Sequence, residues 1–304
     1  MLVVAGEALI DLITLPHGDL KPVLGGSPYN LANALGRLGR TVAYRNPMST
    51  DLFGTQLSQT LLDSGVQLTG GQSQQPTSLA VVQVNPQGGP SYAFYREGVA
   101  DRDLPPLAIL QDWPAQAHTF HVGSLALLPP DGDAWCQLLQ KLRAQGVTTS
   151  VDMNMRPVVA RDLNAYARTA QAIAAQANYL KVSDEDLHAM GLMGDAKTEA
   201  AALLTDTTRV VLLTLGAQGA WCFTAQGALF QPAPKVPVVD TVGAGDCFYA
   251  GFLACLDEMQ ALGKTTATPT QEQLEKALRF GSAVTAYNIQ RQGCQPPWRK
   301  DITI

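Results

Sequence analysis

Residues 243–246, Gly-Ala-Gly-Asp, set two glycines and a carboxylate directly ahead of the apolar run CFYAGFLACL. Phe248, Phe252, Leu253 and Leu256 recur on one face, which predicts a helix from about Ala244 through Leu256. The first-turn amides of such a helix have no intrahelical acceptor. Glycines there lack Cβ atoms, so a large anion can approach the backbone, and the helix dipole favours its charge. Asp246 would repel that anion, so its presence makes sense if it takes a proton from a nucleophile held beside it. Taken alone, however, such a tetrapeptide more often marks a tight turn.

The elements that must position these residues alternate along the chain. Strands are expected at 2–6, 42–46, 118–125, 147–152, 178–182 and 209–216. Helices are expected at 28–39, 51–64, 131–145, 162–176, 195–204, 244–260 and 271–289. Near-continuous apolar strands between amphipathic helices predict a mostly parallel sheet covered on both faces. Two segments, about 10–24 and 78–98, instead read as short β-runs lying outside that sheet, the second with a turn at Pro86–Pro90. A small flap of this kind can cover a ligand at the strand ends. With no linker and no repeat, residues 1–304 read as one domain with those lid strands.

Hydrophobic residues make up 46% and charged residues 15% of 304, which suits a large core rather than disorder. The net charge of −5 and the lack of any Lys/Arg block argue against a nucleic-acid partner or an anionic membrane surface. No apolar run approaches the ~20 residues of a membrane span, and MLVVAGEALID reads as a first strand rather than a leader. Five scattered cysteines without CxxC spacing suit reduced thiols and a cytoplasmic location. His118 and His121 fall on opposite faces of a strand, which disfavours a shared metal. Neither GxxxxGK[ST] nor GxGxxG occurs, so an anion site must be built without those loops; this also disfavours a nicotinamide oxidoreductase.

DTVGAGDCFYAGF at 240–252 and GGSPYNLANALGRLG at 25–39 resemble the two signatures of the ribokinase-like (phosphofructokinase-B) family of sugar kinases. GEALIDL (6–12), FYREGVAD (94–101), VDMNMRP (151–157), KVSDED (181–186) and VLLTLGAQGA (211–220) follow in that family's order, so the resemblance spans the whole chain. It implies a three-layer αβα fold with a β-strand lid, ATP and magnesium, and a small sugar as substrate. Asp246 would then be the base, and the Gly243, Ala244 and Gly245 amides the anion hole. The sugar would meet Asp11, Gly25, Gly26, Asn30, Arg96, Asn154 and Arg156. The nucleotide would meet Lys181, Ser183, Thr214, Gly216, Gly219, Ser282 and Ala286. A homodimer through the lid is also implied.

Departures from the family's pattern accompany the match. Ser49 stands where the family often has glycine, while Gly54 is kept. The family's Asn-x-x-Glu is Ser183-x-x-Asp186 here, a shorter carboxylate that would reach magnesium through water. Asp240 and Val242 match a monovalent-cation loop, but Asn288 and Pro297, beside Gly293, differ from it, so potassium activation stays an open alternative. The details look most like the bacterial fructokinase branch. A 2-keto-3-deoxygluconate kinase is the runner-up, favoured if Arg96 or Arg156 faces the sugar. A catalytically silent sugar-binding regulator is the alternative from another class.

Overall fold

The computed structural model describes every residue except Pro16, residues 85–89, residues 264–266 and Ile304, so the turn expected at Pro86–Pro90 lies outside the described residues. In chain order, β1 (Leu2–Val4) precedes β2 (Leu9–Thr14), β3 (Leu20–Gly25) and helix α1 (Ser27–Arg37). Next come β4 (Val42–Tyr44), β5 (Met48–Ser49), α2 (Leu52–Asp63), β6 (Gln67–Leu68), β7 (Gln72–Ser73), β8 (Ser78–Val84) and β9 (Pro90–Tyr95). An alternating stretch follows: β10 (Thr119–Gly123), α3 (Asp131–Ala144), β11 (Thr148–Asp152), α4 (Leu163–Ala174), β12 (Tyr179–Ser183), α5 (Asp184–Ala189), α6 (Ala196–Ala202) and β13 (Val210–Thr214). Last are β14 (Gly219–Thr224), β15 (Gly227–Pro232), α7 (Ala244–Glu258) and α8 (Gln271–Ile289).

The main sheet has the order β15-β14-β13-β12-β11-β10-β1-β4-β6. It is parallel from β13 to β6 and antiparallel where β14 and β15 extend it. Successive side chains of a strand point to opposite faces. Leu2, Val4, Val210 and Leu212 therefore join a core under α1, α2, α7 and α8. Val3, Val211 and Leu213 join a second core under α3, α4, α5 and α6. This is the expected three-layer αβα arrangement. It follows from strands such as β1 and β13 that are apolar toward both faces.

The lid is a separate four-stranded sheet, β3-β2-β8-β9, with β2 and β8 parallel and the outer pairs antiparallel. β1 ends at Val4, short of the predicted strand, because the chain turns at Gly6 (φ 136) before entering the lid. The hairpin β14–β15, the two-residue strands β5, β6 and β7, and the six-residue α5 are the elements the periodicity did not reveal. α5 is too short for a periodic signal, and its only mark is a capping box between Ser183 and Asp186.

One packing feature decides where α7 begins. A Cβ on Gly251 would lie 2.7 Å from the Gly281 Cα, and one on Gly281 would lie 2.5 Å from the Phe248 carbonyl oxygen. The two glycines let α7 and α8 approach closely. That brings Thr285 of α8 to the start of α7, where its hydroxyl donates to the Ala244 carbonyl at 3.1 Å.

Candidate active site

The C-terminal ends of β10, β11, β12 and β13 and the start of α7 face one cleft, as open parallel sheets dispose their strand ends. Two cavities occupy it. The larger, about 620 Å³, lies between the lid and α7 and is lined by Glu7, Asp11, Asn30, Asn154, Arg156 and Asp246. The smaller, about 330 Å³, is lined by Ser183, Thr214, Gly216, Gly219 and Ser282. Ala244 and Gly245 line both, so the cavities meet at the first turn of α7.

Gly243 caps α7 in the left-handed region, φ 70, ψ 9, with no side-chain cap. A Cβ there would stand 2.3 Å from Cys294 Sγ. The Ala244 amide donates to the Thr241 carbonyl at 3.1 Å. Among the described residues, the Gly243, Gly245 and Asp246 amides have no acceptor. The unpaired donors are thus those three rather than the run 243–245. Lys181 stands beside them, its Nζ 3.3 Å from where a Gly245 Cβ would lie.

Asp246 is buried, and both of its oxygens are held. Ser27 Oγ donates to Oδ1 at 2.7 Å and Asn30 Nδ2 to Oδ2 at 2.8 Å. Burial raises its pKa against the pull of Asn30, Ser27, Lys181 and Arg156, so the carboxyl is a stronger base than a free aspartate. Asp11 is pushed up to about 6, first by burial and then by Asp246, with Arg156 opposing. Lys181 Nζ lies 2.9 and 3.0 Å from the two Asp152 oxygens. Burial alone would lower that ammonium, but Asp152, Asp186 and Asp246 hold it above its ordinary value.

The double glycine before α1 has steric reasons. A Cβ on Gly25 would meet Asp11 Oδ2 at 2.4 Å, and one on Gly26 (φ 106) would meet the Glu7 carbonyl oxygen at 2.5 Å. Gly25 backs Asp11 without lining the cavity, whereas Gly26 lines it. Asn154, at φ 35, accepts from Arg156 Nη1 at 2.6 Å, and both face the cavity.

Other expected residues sit elsewhere. Arg96 does not line the larger cavity; its Nη1 donates to the Leu125 carbonyl at 3.1 Å and its Nη2 meets Asp101 Oδ2 at 3.3 Å. From the same segment it is Phe94, of β9, that reaches the cavity. Ala286 lies one turn beyond Ser282 and lines neither cavity. Asp186 lines neither as well: its oxygens accept the Met155 amide at 2.6 Å and the Ser183 amide at 2.8 Å. A carboxylate so engaged closes the α5 cap and keeps a second lone pair on each oxygen, which leaves only the water-mediated metal contact expected of it.

The monovalent-cation loop is closed by protein bonds. Asp240 accepts the Val242 amide at 3.0 Å and the Gly293 amide at 2.8 Å, while the Val242 carbonyl accepts Asn288 Nδ2 at 2.9 Å. Asn288 Oδ1 in turn accepts the Gln295 amide at 2.6 Å. Asn288, read from the sequence only as a departure, thus pins both loops flanking Gly243. Each of the Asp240 and Val242 oxygens accepts one protein donor and keeps a second lone pair.

Glu7, Ser27 and Ser124 also line the larger cavity and were not among the expected residues. Ser27 and Glu7 fall inside the quoted signatures, yet nothing in their spacing assigns them a partner. Ser124 follows β10 at φ 57, a conformation no sequence pattern announces.

A model of the pfkB family of carbohydrate kinases matches residues 1–301. A fructokinase from Rhizobium leguminosarum bv. trifolii is 37% identical over 287 residues, covering 92% of this chain and 86% of that protein. The crystal structure of a fructokinase with bound ATP from Xylella fastidiosa superposes with a TM-score of 0.87 at 26% identity, covering 98% of this chain and 95% of that one. An aminoimidazole riboside kinase from Salmonella enterica gives 0.81 at 26% identity, covering 99% and 97%.

Proposed function

This chain belongs to the pfkB family of carbohydrate kinases, and we propose that it moves the γ-phosphoryl group of ATP onto the primary hydroxyl of D-fructose, giving fructose 6-phosphate. That it is an ATP-dependent sugar kinase follows from the family; the sugar and the residue roles are the present reading. The observation that carries it is the meeting of two cavities at Gly245, with Asp246 on the wall of the larger.

In this reading Asp246 takes the proton of the attacking hydroxyl, its oxygens aimed by Ser27 and Asn30. The Gly243, Gly245 and Asp246 amides meet the equatorial oxygens of the phosphoryl group as charge spreads over them, and Lys181 adds a cation beside them. Asp11, Asn154 and Arg156 orient the sugar, while Thr214, Gly216, Gly219 and Ser282 hold the nucleotide. Magnesium carried on the nucleotide's phosphates would supply charge neutralisation, and Asp186, outside both cavities, would reach it through water. A cytoplasmic homodimer joined through the lid belongs to the same reading.

The choice of a neutral sugar is electrostatic. Arg156 faces the cavity, a feature that favours a 2-keto-3-deoxygluconate kinase. Glu7, Asp11 and Asp246 face it too, and the Lys181 charge is already met by Asp152. With Asp240 these carboxyls outnumber the Arg156 guanidinium and the Lys21 ammonium on the same wall, so they repel a sugar acid and accept hydroxyl donors. ATP consumption measured with fructose, 2-keto-3-deoxygluconate, ribose and adenosine tests this. Fructose should give the highest kcat/KM. A preference for the keto acid would replace the substrate, and no turnover with any sugar would favour a binding protein.

A further inference from the structure

We propose that Cys247 and Cys294 form a thiol oxidation site, closed to a reversible disulfide by hydrogen peroxide, and that this bond disables the anion-binding start of α7. The oxidation stands on the two thiols alone; its consequence for activity rests on the sugar-kinase reading. Cys247 lies near the start of α7 and is fully buried, while Cys294, in the loop after α8, is half-buried. The fold brings them together over 47 positions of chain, with their sulfurs 4.0 Å apart. This is the one sulfur–sulfur hydrogen bond among the described residues. Neither residue lines the two cavities, so both thiols are left unused by the phosphoryl transfer.

A more accessible thiol poised next to a resolving one is the arrangement of a redox sensor. The Cys294 sulfur attacks one peroxide oxygen, the O–O bond breaks, and the leaving hydroxide takes the thiol proton to become water. Cys294 is then a sulfenic acid. The Cys247 sulfur attacks the Cys294 sulfur, the S–O bond breaks, and the hydroxyl leaves as a second water with the Cys247 proton. Two thiols have lost two electrons, and one peroxide has become two waters. The hydrogen bond to Cys294, and then burial, raises the Cys247 thiol, so it keeps its proton until that second step. A disulfide is about 2.05 Å long, so the two sulfurs must close by about 2 Å. Cys247 sits in a packed helix, which leaves the loop to move. That loop is tied by the Gly293 amide to Asp240 and by the Gln295 amide to Asn288. The Cys294 thiol also lies against Gly243, where a Cβ would stand 2.3 Å from its Sγ. Moving it disturbs both ties and the first of the free amides.

The test uses the full chain, reduced and then exposed to hydrogen peroxide, with free thiols alkylated before digestion. Mass spectrometry should find the peptides carrying Cys247 and Cys294 joined and two hydrogens lighter than their sum, and dithiothreitol should separate them. The kcat/KM for ATP should fall about 10–100-fold in step with the bond and return on reduction. Cys294→Ser should keep its activity through the same treatment. Cys247→Ala should stop at the sulfenic acid, which dimedone traps on Cys294. Unlinked peptides in the oxidised wild type overturn the proposal, as does a linked pair with kcat/KM for ATP unchanged. Equal inactivation of Cys294→Ser and wild type would place the damage at another residue and overturn it too. The link is read on the wild type, so it is decided even where a variant does not fold. If no sugar turns over, the sugar-kinase reading fails while the linked peptides still decide the thiols. Calorimetric titration of ATP into reduced and oxidised protein then reads the effect on the anion site.

Discussion

Asn30 Nδ2 donates to Asp246 Oδ2 across 2.8 Å, joining the start of α1 to the start of α7 over 216 positions of chain. A local helix-start bond would have been the ordinary use of an asparagine at this place. Here the amide orients a buried carboxylate instead. The Asp246→Asn variant should therefore lose about 10²–10⁴-fold in kcat, the range for a positioned acid–base group, while calorimetry still detects sugar binding. Near-normal turnover in that variant would remove Asp246 from the chemistry.

The same bond governs the acid limb of the pH–rate profile. Burial raises the Asp246 pKa, and the donors Asn30 and Ser27 restrain the rise by favouring the ionised form. Removing either donor should raise the pKa further, leaving the base protonated to higher pH. Profiles of kcat/KM for Asn30→Ala and Ser27→Ala should show the acid limb displaced upward relative to wild type. A downward displacement would mean that neither contact supports the charge.

Gly243 tolerates no side chain. Its left-handed φ of 70 costs a non-glycine residue about 1 kcal/mol, and the added Cβ would press on Cys294 Sγ. Gly243→Ala should shift the loop carrying Cys294 and move the free amides. A higher KM for ATP and a lower kcat are expected, with the KM for sugar little changed. Pairing Gly243→Ala with Cys294→Ala removes the Sγ contact but leaves the Cβ at 2.8 Å and the backbone strain, so only part of the loss should return.

Asn288 Nδ2 donates to the Val242 carbonyl, an oxygen that a monovalent cation would otherwise take. Initial rates in potassium chloride and in choline chloride at equal ionic strength should therefore coincide for the wild type. Asn288→Ala frees the Val242 carbonyl and the Gln295 amide, unpinning both loops beside Gly243. That variant should need more ATP to saturate, with sugar affinity retained. Marked potassium stimulation of the wild type would show that these oxygens are available to an ion after all.

His121 makes the fold sensitive to acid. It is fully buried between β1 and β11, with Nδ1 3.0 Å from Ser150 Oγ and Nε2 without a partner among the described residues. Burial, reinforced by Lys181, lowers its pKa from 6.5 to about 3. The unfolded chain binds a proton below pH 6.5 and the folded chain does not until about pH 3, so this contribution is complete above pH 6.5 and declines as pH falls. Between pH 6.5 and 5 the loss is about 2 kcal/mol. Denaturant unfolding of His121→Gln should change by about that much less than wild type over the same interval. Equal slopes would mean the imidazole is charged in the fold.

Much of the architecture was legible in the chain itself. Alternation of apolar strands with amphipathic helices is a local property, so the parallel sheet, its helical layers and the separate lid segments could be read without coordinates. The glycines at 25, 26, 243 and 245 were legible too, because close backbone approach requires that residue type wherever it occurs. The lengths of β1 and α5 were not, since a single turn at Gly6 and a six-residue helix leave no period to detect.

Residue types and spacing thus determined which side chains could do chemistry here: an acid at a glycine-opened helix, an asparagine after a double glycine, cations near strand ends. Only the tertiary structure decided which of them share a cavity. Arg96 turns to Asp101, Asp186 closes a helix cap, Ala244 spends its amide on Thr241, and Glu7 joins the wall of the larger cavity. The reason is physical: a hydrogen bond is made to whichever partner folding delivers within about 3 Å, and that distance is set by packing between elements far apart in sequence.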